Sequence, residues 1–197
     1  MSVQLAKKSK VIGLTGNIAS GKSTALTYLK SKGYVTIDSD QIVSEIWKDD
    51  HHLNTLSSIF KRDLSNPLIK KQFSIDIFEH EMLKKQLESY MHPLVYKTIE
   101  LEISKNHGGI VIVDIPLLYE TNYQQHVDAV ILIVVDQQTQ RNRLLKRGYS
   151  ESHAQSRIES QMSYDIKTKH PNYQVNGALA LPLFYEALDE ILRKLSV

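Results

Sequence analysis

Gly16, Gly21, Lys22 and Ser23 fall at the spacing G-x-x-x-x-G-K-S, and the chemistry that spacing serves is the gripping of phosphate oxygens. In such a loop the backbone N–H groups converge on the phosphates, and the helix that follows adds positive potential at its first turn. The lysine reaches the β- and γ-phosphates while the neighbouring hydroxyl ligates Mg²⁺. We therefore read Gly16, Asn17, Ile18, Ala19, Ser20, Gly21, Lys22, Ser23 and Thr24 as the binding loop for the phosphates of ATP. Lys22 is its catalytic charge and Ser23 its metal ligand. Asn17 and Ala19 stand where loops of this kind often carry glycine. Asn tolerates a positive φ and Ala does so poorly, so Ala19 is expected at negative φ.

A phosphate loop specifies a nucleotide and leaves the reaction open. The next candidates are Asp38 and Asp40 in the run Asp38-Ser39-Asp40. Ligands of open α/β sheets bind beyond the carboxyl ends of the strands, where this run should lie. One carboxylate there could hold a metal-bound water while the other takes the proton of an acceptor hydroxyl. The same spacing suits an Asp helix cap followed by a solvated carboxylate. The segment DIPLLYE, from Asp114 to Glu120, sets a further carboxylate at the end of an apolar run. That arrangement is Walker-B-like.

The elements that must position these groups can be read from periodicity. VIGLT (11–15) is a buried strand, and STALTYLKSKG puts Ala25, Leu26 and Leu29 on one helical face before Gly33. YVTID (34–38) is a second strand. From about 41 to 106 the chain favours helix, interrupted near Asn66-Pro67 and near His92-Pro93, where proline disfavours continuation. GIVIVDIPLL (109–118) and AVILIVVD (129–136) are near-continuous apolar runs, as in strands covered on both faces. Helices are predicted over 139–147 and 151–162, broken at Gly148. A short strand near 173–175 precedes a closing helix from about Pro182 to Leu195. The pattern predicts an α/β fold: a P-loop NTPase-type parallel sheet flanked by helices, in one domain over 1–197 with a helical insertion and a small helical lid.

Composition narrows the class. The 197 residues carry 24 basic and 22 acidic side chains, a net charge of +2, which supports neither a nucleic-acid stripe nor a polybasic membrane patch. There are no cysteines, so disulfides and thiolate metal sites are excluded. No apolar run approaches the roughly 20 residues needed to span a bilayer. The opening MSVQLAKKSK lacks an apolar core and cleavage site, so it reads as a tail before the first strand. The expectation is a cytoplasmic enzyme with small-molecule substrates.

Taken together, the segments IGLTGNIASGKST (12–24), TIDSD (36–40), MHPLV (91–95), VDIPLLYE (113–120), RNRLLKR (141–147) and RIESQ (157–161) resemble the dephospho-CoA kinase family. They occur in the family's order and span nearly the whole chain. The resemblance implies transfer of the γ-phosphoryl of ATP, with Mg²⁺, to the ribose 3′-hydroxyl of dephospho-CoA, the last step of coenzyme A synthesis. It implies that Asp40 receives the hydroxyl proton, that Arg143 contacts phosphate, and that Arg147 assists from the lid. Arg143 and Arg147, at i and i+4, share a helix face. The resemblance also implies a single P-loop kinase domain whose helical acceptor-binding region is at about 46–106 and whose lid is at about 148–169. It puts Asp38, His92, Asp114, Leu117 and Glu120 on the acceptor side and Asn176, with Gly177, at the nucleotide. The chain departs from the family pattern at Ser44, where an arginine is usual, and at Lys70, which keeps the charge without the fork. Asp49-Asp50-His51-His52 stands where a Pro-Gly turn is usual. Two other readings stay open on the residues: a nucleoside or nucleotide kinase, and a nucleotide-binding regulator without turnover.

Overall fold

A computed structural model describes residues 8–167 and 171–196, with the side chain of residue 78 left aside. The tail expected at the start of the chain and the end of the lid region thus fall partly outside the described residues. β1 (Lys10–Gly16) is the middle strand of a five-stranded sheet ordered β2-β3-β1-β4-β5, where β2 is Val35–Asp38, β3 Ile110–Asp114, β4 Ala129–Val134 and β5 Tyr173–Asn176. β1 pairs in parallel with β3 and β4, and β4 pairs in parallel with β5. The register sets Leu14 beside Asp114 and Gly16 beside Ile133, so the end of β1 lies between two neighbours whose ends carry the site.

The β1, β3 and β4 runs are predominantly apolar because both faces are covered. On one face, Ile12, Leu14, Ile112, Ile131 and Ile133 pack with Ala25 and Leu29 of α1 (Lys22–Ser31) and with Phe184, Leu188 and Leu192 of α9 (Leu181–Leu195). Each of these large side chains, taken fully from water, contributes about 1.5–3 kcal/mol. α1 ends where expected: Gly33 adopts φ +87°, a conformation that glycine enters without a Cβ penalty. α6 (Gln137–Lys146) and α7 (Glu151–Glu159) are separated at Gly148, again at φ +87°. The helix predicted to Met162 stops at Glu159, and a short α8 (Tyr164–Lys167) follows.

The chain divides into two compact units, 1–37 with 103–197, and 38–102. The second unit is helical: α2 (Ser39–Ile46), α3 (Asp50–Phe60), α4 (Pro67–Glu79) and most of α5 (Glu81–Ser104). The interruption expected near Asn66-Pro67 is the start of α4, with Asn66 as its cap and Pro67 in its first turn. The break predicted at His92-Pro93 does not occur, and α5 runs through it. Pro93 has no N–H to give the Ser89 carbonyl, but both residues are exposed, so that carbonyl can accept from water instead. Buried Met91, Val95 and Ile99 hold the turns on either side. The apolar run predicted as a strand to Leu118 ends as strand at Asp114; Ile115 still donates to the Leu14 carbonyl, and Pro116 has no donor with which to continue. Among the described residues no helix is long and apolar enough to cross a membrane.

Candidate active site

The turn from β1 into α1 is shaped by close approach. A Cβ on Gly16 would lie 2.7 Å from both the Ile133 carbonyl and Ser20 Oγ, so no larger residue fits. Gly21 is the N-cap of α1, at φ 109°, and has no side chain to cap it. By contrast α2, α3, α4, α6 and α7 are capped by Asp38, Asp49, Asn66, Asp136 and Ser150. The first-turn N–H groups of α1, which carries Lys22, Ser23 and Thr24, are thereby left to an incoming anion.

The expectation for Ala19 is overturned: its φ is 60°. Asn17, the residue better suited to that conformation, does not adopt it. Ser20 N–H donates to the Asn17 carbonyl at 3.1 Å, closing a turn with Ala19 at its third position. A left-handed Ala costs about 1–2 kcal/mol. Two things offset it: the Ala19 methyl packs with Leu144, Ala154 and Ile158, and its carbonyl is bonded by Arg143.

That bond belongs to a second layer of side chains behind the loop. Gln140 Nε2 donates to the Ile18 carbonyl at 2.8 Å. Arg143 Nη1 donates to the Ala19 and Ser20 carbonyls at 2.9 and 3.0 Å, and its Nη2 to the Gly177 carbonyl at 2.7 Å. From the segment after α7, Gln161 Oε1 accepts the Ile18 N–H at 2.6 Å. Tyr164 Oη accepts the Asn17 N–H and donates to the Ile133 carbonyl, both at 3.1 Å. Burial pushes the Tyr164 phenol up, which keeps it protonated for that donation. Asn17 Nδ2 reaches the Met162 carbonyl at 3.2 Å. Arg143, expected on phosphate, thus spends three donors on backbone carbonyls and holds the loop in shape. Gln140, Gln161 and Tyr164 were not foreseen as site residues. Their only signal was the RIESQ segment, whose last residue is Gln161.

Beside this layer a cavity of about 360 Å³ is lined by Ala19, Gly21, Thr24, Arg147, Gly177 and Phe184, among others. Gly177 must be glycine, because a Cβ there would sit 2.0 Å from the Ser20 carbonyl. Asn176 is exposed and its Oδ1 accepts the Ala178 N–H, so of this pair Gly177 faces the cavity.

The carboxylates take distinct places. Asp114, 3 % exposed, holds Lys22 Nζ at 2.6 and 2.7 Å from its two oxygens. Asp38 Oδ1 accepts the N–H groups of Asp40 and Gln41, so Asp38 is the cap of α2. Asp40 is exposed in the first turn of that helix. Glu120 serves the segment after α7: Met162 N–H donates to its Oε1 at 3.3 Å, and the fully buried Lys167 Nζ lies 2.8 Å from the same oxygen. The Lys167 contact is off the hydrogen-bond direction and is held by charge. Leu117 is partly exposed. Its neighbour Tyr119 is buried, which pushes its phenol up to about 12. His92 stacks on Tyr96 within α5, ring centroids 5.7 Å apart.

Among the described residues no three His, Cys, Asp or Glu side chains gather to hold a metal. A cation at this loop would therefore complete its shell with phosphate oxygens and water, which is the habit of Mg²⁺. Ser23, exposed on the first turn of α1, is an oxygen donor that fits it, whereas Asp114 is buried with both oxygens on Lys22.

The dephospho-CoA kinase family model matches residues 10–180. A dephospho-CoA kinase of Staphylococcus epidermidis is 35 % identical over 176 residues, covering 86 % of this chain and 87 % of its own. One from Oceanobacillus iheyensis is 34 % identical over 195 residues, covering 95 % and 98 %. Among solved structures, TT1252 from Thermus thermophilus superposes with a TM-score of 0.86 at 26 % identity, covering 97 % of this chain and all of its own.

Proposed function

We propose a division of labour for a chain that belongs to the dephospho-CoA kinase family. The chain phosphorylates dephospho-CoA, the final step of coenzyme A synthesis. The phosphates of ATP lie on the loop from Gly16 to Thr24, and the base lies in the cavity beside Gly177 and Arg147. The observation that carries this reading is the uncapped first turn of α1, which opens behind a loop whose other backbone groups are already engaged.

Lys22, held at Asp114, offers its ammonium to the transferring phosphoryl group and stabilises the charge that builds on it. Arg143 keeps the loop carbonyls turned away from the phosphates, which aims the N–H groups at them. Bound beside Ser23, Mg²⁺ would neutralise charge on the β- and γ-phosphates. Asp40 accepts the proton of the ribose 3′-hydroxyl. A carboxylate near its usual pKa of ~4 is a weak base for an alcohol, but in a loose transition state the proton leaves late. Orientation of the hydroxyl then matters more than basicity. Asp38 fixes the helix end from which Asp40 projects. Residues 46–106 supply the acceptor wall, and 148–169 close over ATP to exclude water.

The test is to incubate the chain with ATP, Mg²⁺ and dephospho-CoA and follow product mass. Gain of one phosphoryl group on dephospho-CoA, with ADP formed in equal amount, is expected. Faster phosphorylation of a nucleoside, or ADP formed without CoA, would overturn the assignment.

A further inference from the structure

The segment from the end of β3 to Glu120 reaches the phosphate loop's machinery at both of its ends. At the first, Asp114 holds Lys22. At the last, Glu120 Oε1 accepts the Met162 N–H at 3.3 Å and lies 2.8 Å from Lys167 Nζ, which has no exposed surface. Between the two ends the segment is tied to β1. Ile115 N–H donates to the Leu14 carbonyl at 3.0 Å, and Thr15 Oγ1 donates to the Pro116 carbonyl at 3.2 Å. Leu118 and Tyr119 are buried, so the sheet and core fix the place from which Glu120 projects.

Met162 is the next link. Its N–H goes to Glu120 and its carbonyl accepts from Asn17 Nδ2 at 3.2 Å, so one residue is gripped from both sides. Gln161 before it takes the Ile18 N–H, and Tyr164 after it takes the Asn17 N–H. Three contacts of the loop thus hang on the short stretch 161–164. Gln161 to Ser163 belong to no helix or strand, so regular backbone bonding does not set their path. We propose that Glu120, paired with Lys167, is a positioning residue for ATP. It fixes 161–164 and, through Met162, the course of Asn17 and Ile18 in the loop. The inference rests on the placement of the ATP phosphates on that loop and names what holds the loop's support.

The chemistry of the pair favours direction over stability as its use. Taking an ammonium out of water is costly, and apolar side chains of similar volume fill such a site without that cost. What they lack is an oxygen held in one place. The buried Lys167 ammonium draws Glu120 Oε1 to itself, and the same oxygen meets the Met162 N–H. Both partners lie after α7 and neither in the helical unit, which puts the effect of Glu120 on ATP and not on the acceptor.

Two paired variants separate direction from charge and packing. Glu120→Leu with Lys167→Met removes both charges and the acceptor of the Met162 N–H. Glu120→Gln with Lys167→Met removes both charges but keeps an oxygen for that N–H. Neither leaves an isolated buried ion, so both should fold. In the first pair KM for ATP should rise roughly three- to tenfold, the net worth of one hydrogen bond. There kcat should fall less, and KM for dephospho-CoA should move less than twofold. The second pair should recover most of the loss. Amide hydrogen exchange read by NMR needs neither nucleotide nor turnover. The Asn17, Ile18 and Met162 N–H groups should exchange several-fold faster in the first pair, with Ile12 and Leu14 of β1 unchanged. The proposal is overturned if the two pairs share one KM for ATP, or if KM for dephospho-CoA rises as much. It is overturned equally if β1 exchange quickens as much as the loop's, the mark of a merely structural role. Failure of wild type to phosphorylate dephospho-CoA would instead sink the parent reading, and the exchange pattern would then decide by itself whether Glu120 sets the loop.

Discussion

The phosphate loop and the pocket of the helical unit lined by Trp47, Lys70, Phe73 and Leu87 present their polar groups by opposite means. In the loop the recognising groups are backbone N–H, whose direction depends on the path of the chain, so that path is fixed several times over. Ile18 alone is bonded through its N–H by Gln161 and through its carbonyl by Gln140. Three successive carbonyls, those of Ile18, Ala19 and Ser20, are held by side chains of α6. In the helical unit the pocket is walled by side chains alone: one lysine, one indole, and several aromatic and aliphatic groups. A side-chain tip can be exchanged for another of like charge without moving the chain, whereas groups presented by the backbone need a rigid, widely supported frame.

The sharpest way to break this contrast is at the charge the loop exists to position. Lys22→Ala should lower kcat by about 10³-fold, the size of a missing electrostatic donor to the transition state. It also removes the ion pair with the buried Asp114, so turnover must be measured well below the variant's own Tm. Turnover within tenfold of wild type would refute the role given to Lys22.

The frame itself is tested at its buried anchor. Glu120→Ala leaves the Lys167 ammonium, with no exposed surface, without its carboxylate, which should cost about 3 kcal/mol in urea unfolding. Glu120→Leu combined with Lys167→Met should unfold closer to wild type than Glu120→Ala, because no isolated charge remains. Equal losses in both would show that the anchor acts by packing alone.

Asp40→Asn addresses the acceptor side. The amide keeps the shape and loses the proton acceptor, and kcat should fall by roughly 10² with KM for ATP within twofold. A variant near wild-type turnover at saturating substrates would remove Asp40 from the chemistry.

How far each region was legible in the sequence follows from the same contrast. β1, α1 and the loop declared themselves because glycine, lysine and serine at fixed offsets have few other uses. Gly16, Gly21 and Gly177 sit where a Cβ collides or φ is positive. The positive φ of Ala19 was not legible, since the bond from Arg143 and the methyl contact that offset its strain come from residues more than 120 positions away. Pro93 misled for a related reason: its cost depends on whether the Ser89 carbonyl meets water, which depends on burial. The second layer stayed hidden because Gln140 and Tyr164 have no motif of their own; each gains a role only when the sheet brings 16–20, 140–143 and 161–164 together.

The smallest expected effect discriminates most finely, because it separates support from contact. Gln161→Met keeps the length and unbranched shape of the side chain and removes only the acceptor for the Ile18 N–H. That donor would be left unsatisfied at a part-buried site, a cost of about 1–3 kcal/mol. The loop would recover part of it by relaxing toward water, which misdirects the N–H groups that follow. KM for ATP should therefore rise several-fold to tenfold, with a smaller fall in kcat and no change in KM for dephospho-CoA. Tyr164→Phe removes the acceptor of the adjacent Asn17 N–H and should act in the same direction. Because the two N–H groups belong to one turn, a loop freed by the first change has less to lose from the second. The double variant should fall short of the product of the singles, a coupling of 0.5 kcal/mol or more by the usual measure for groups sharing a network. Strict additivity would mean that the two bonds support different parts of the loop. Rises in KM for dephospho-CoA equal to those for ATP would mean that the layer does not act through the loop.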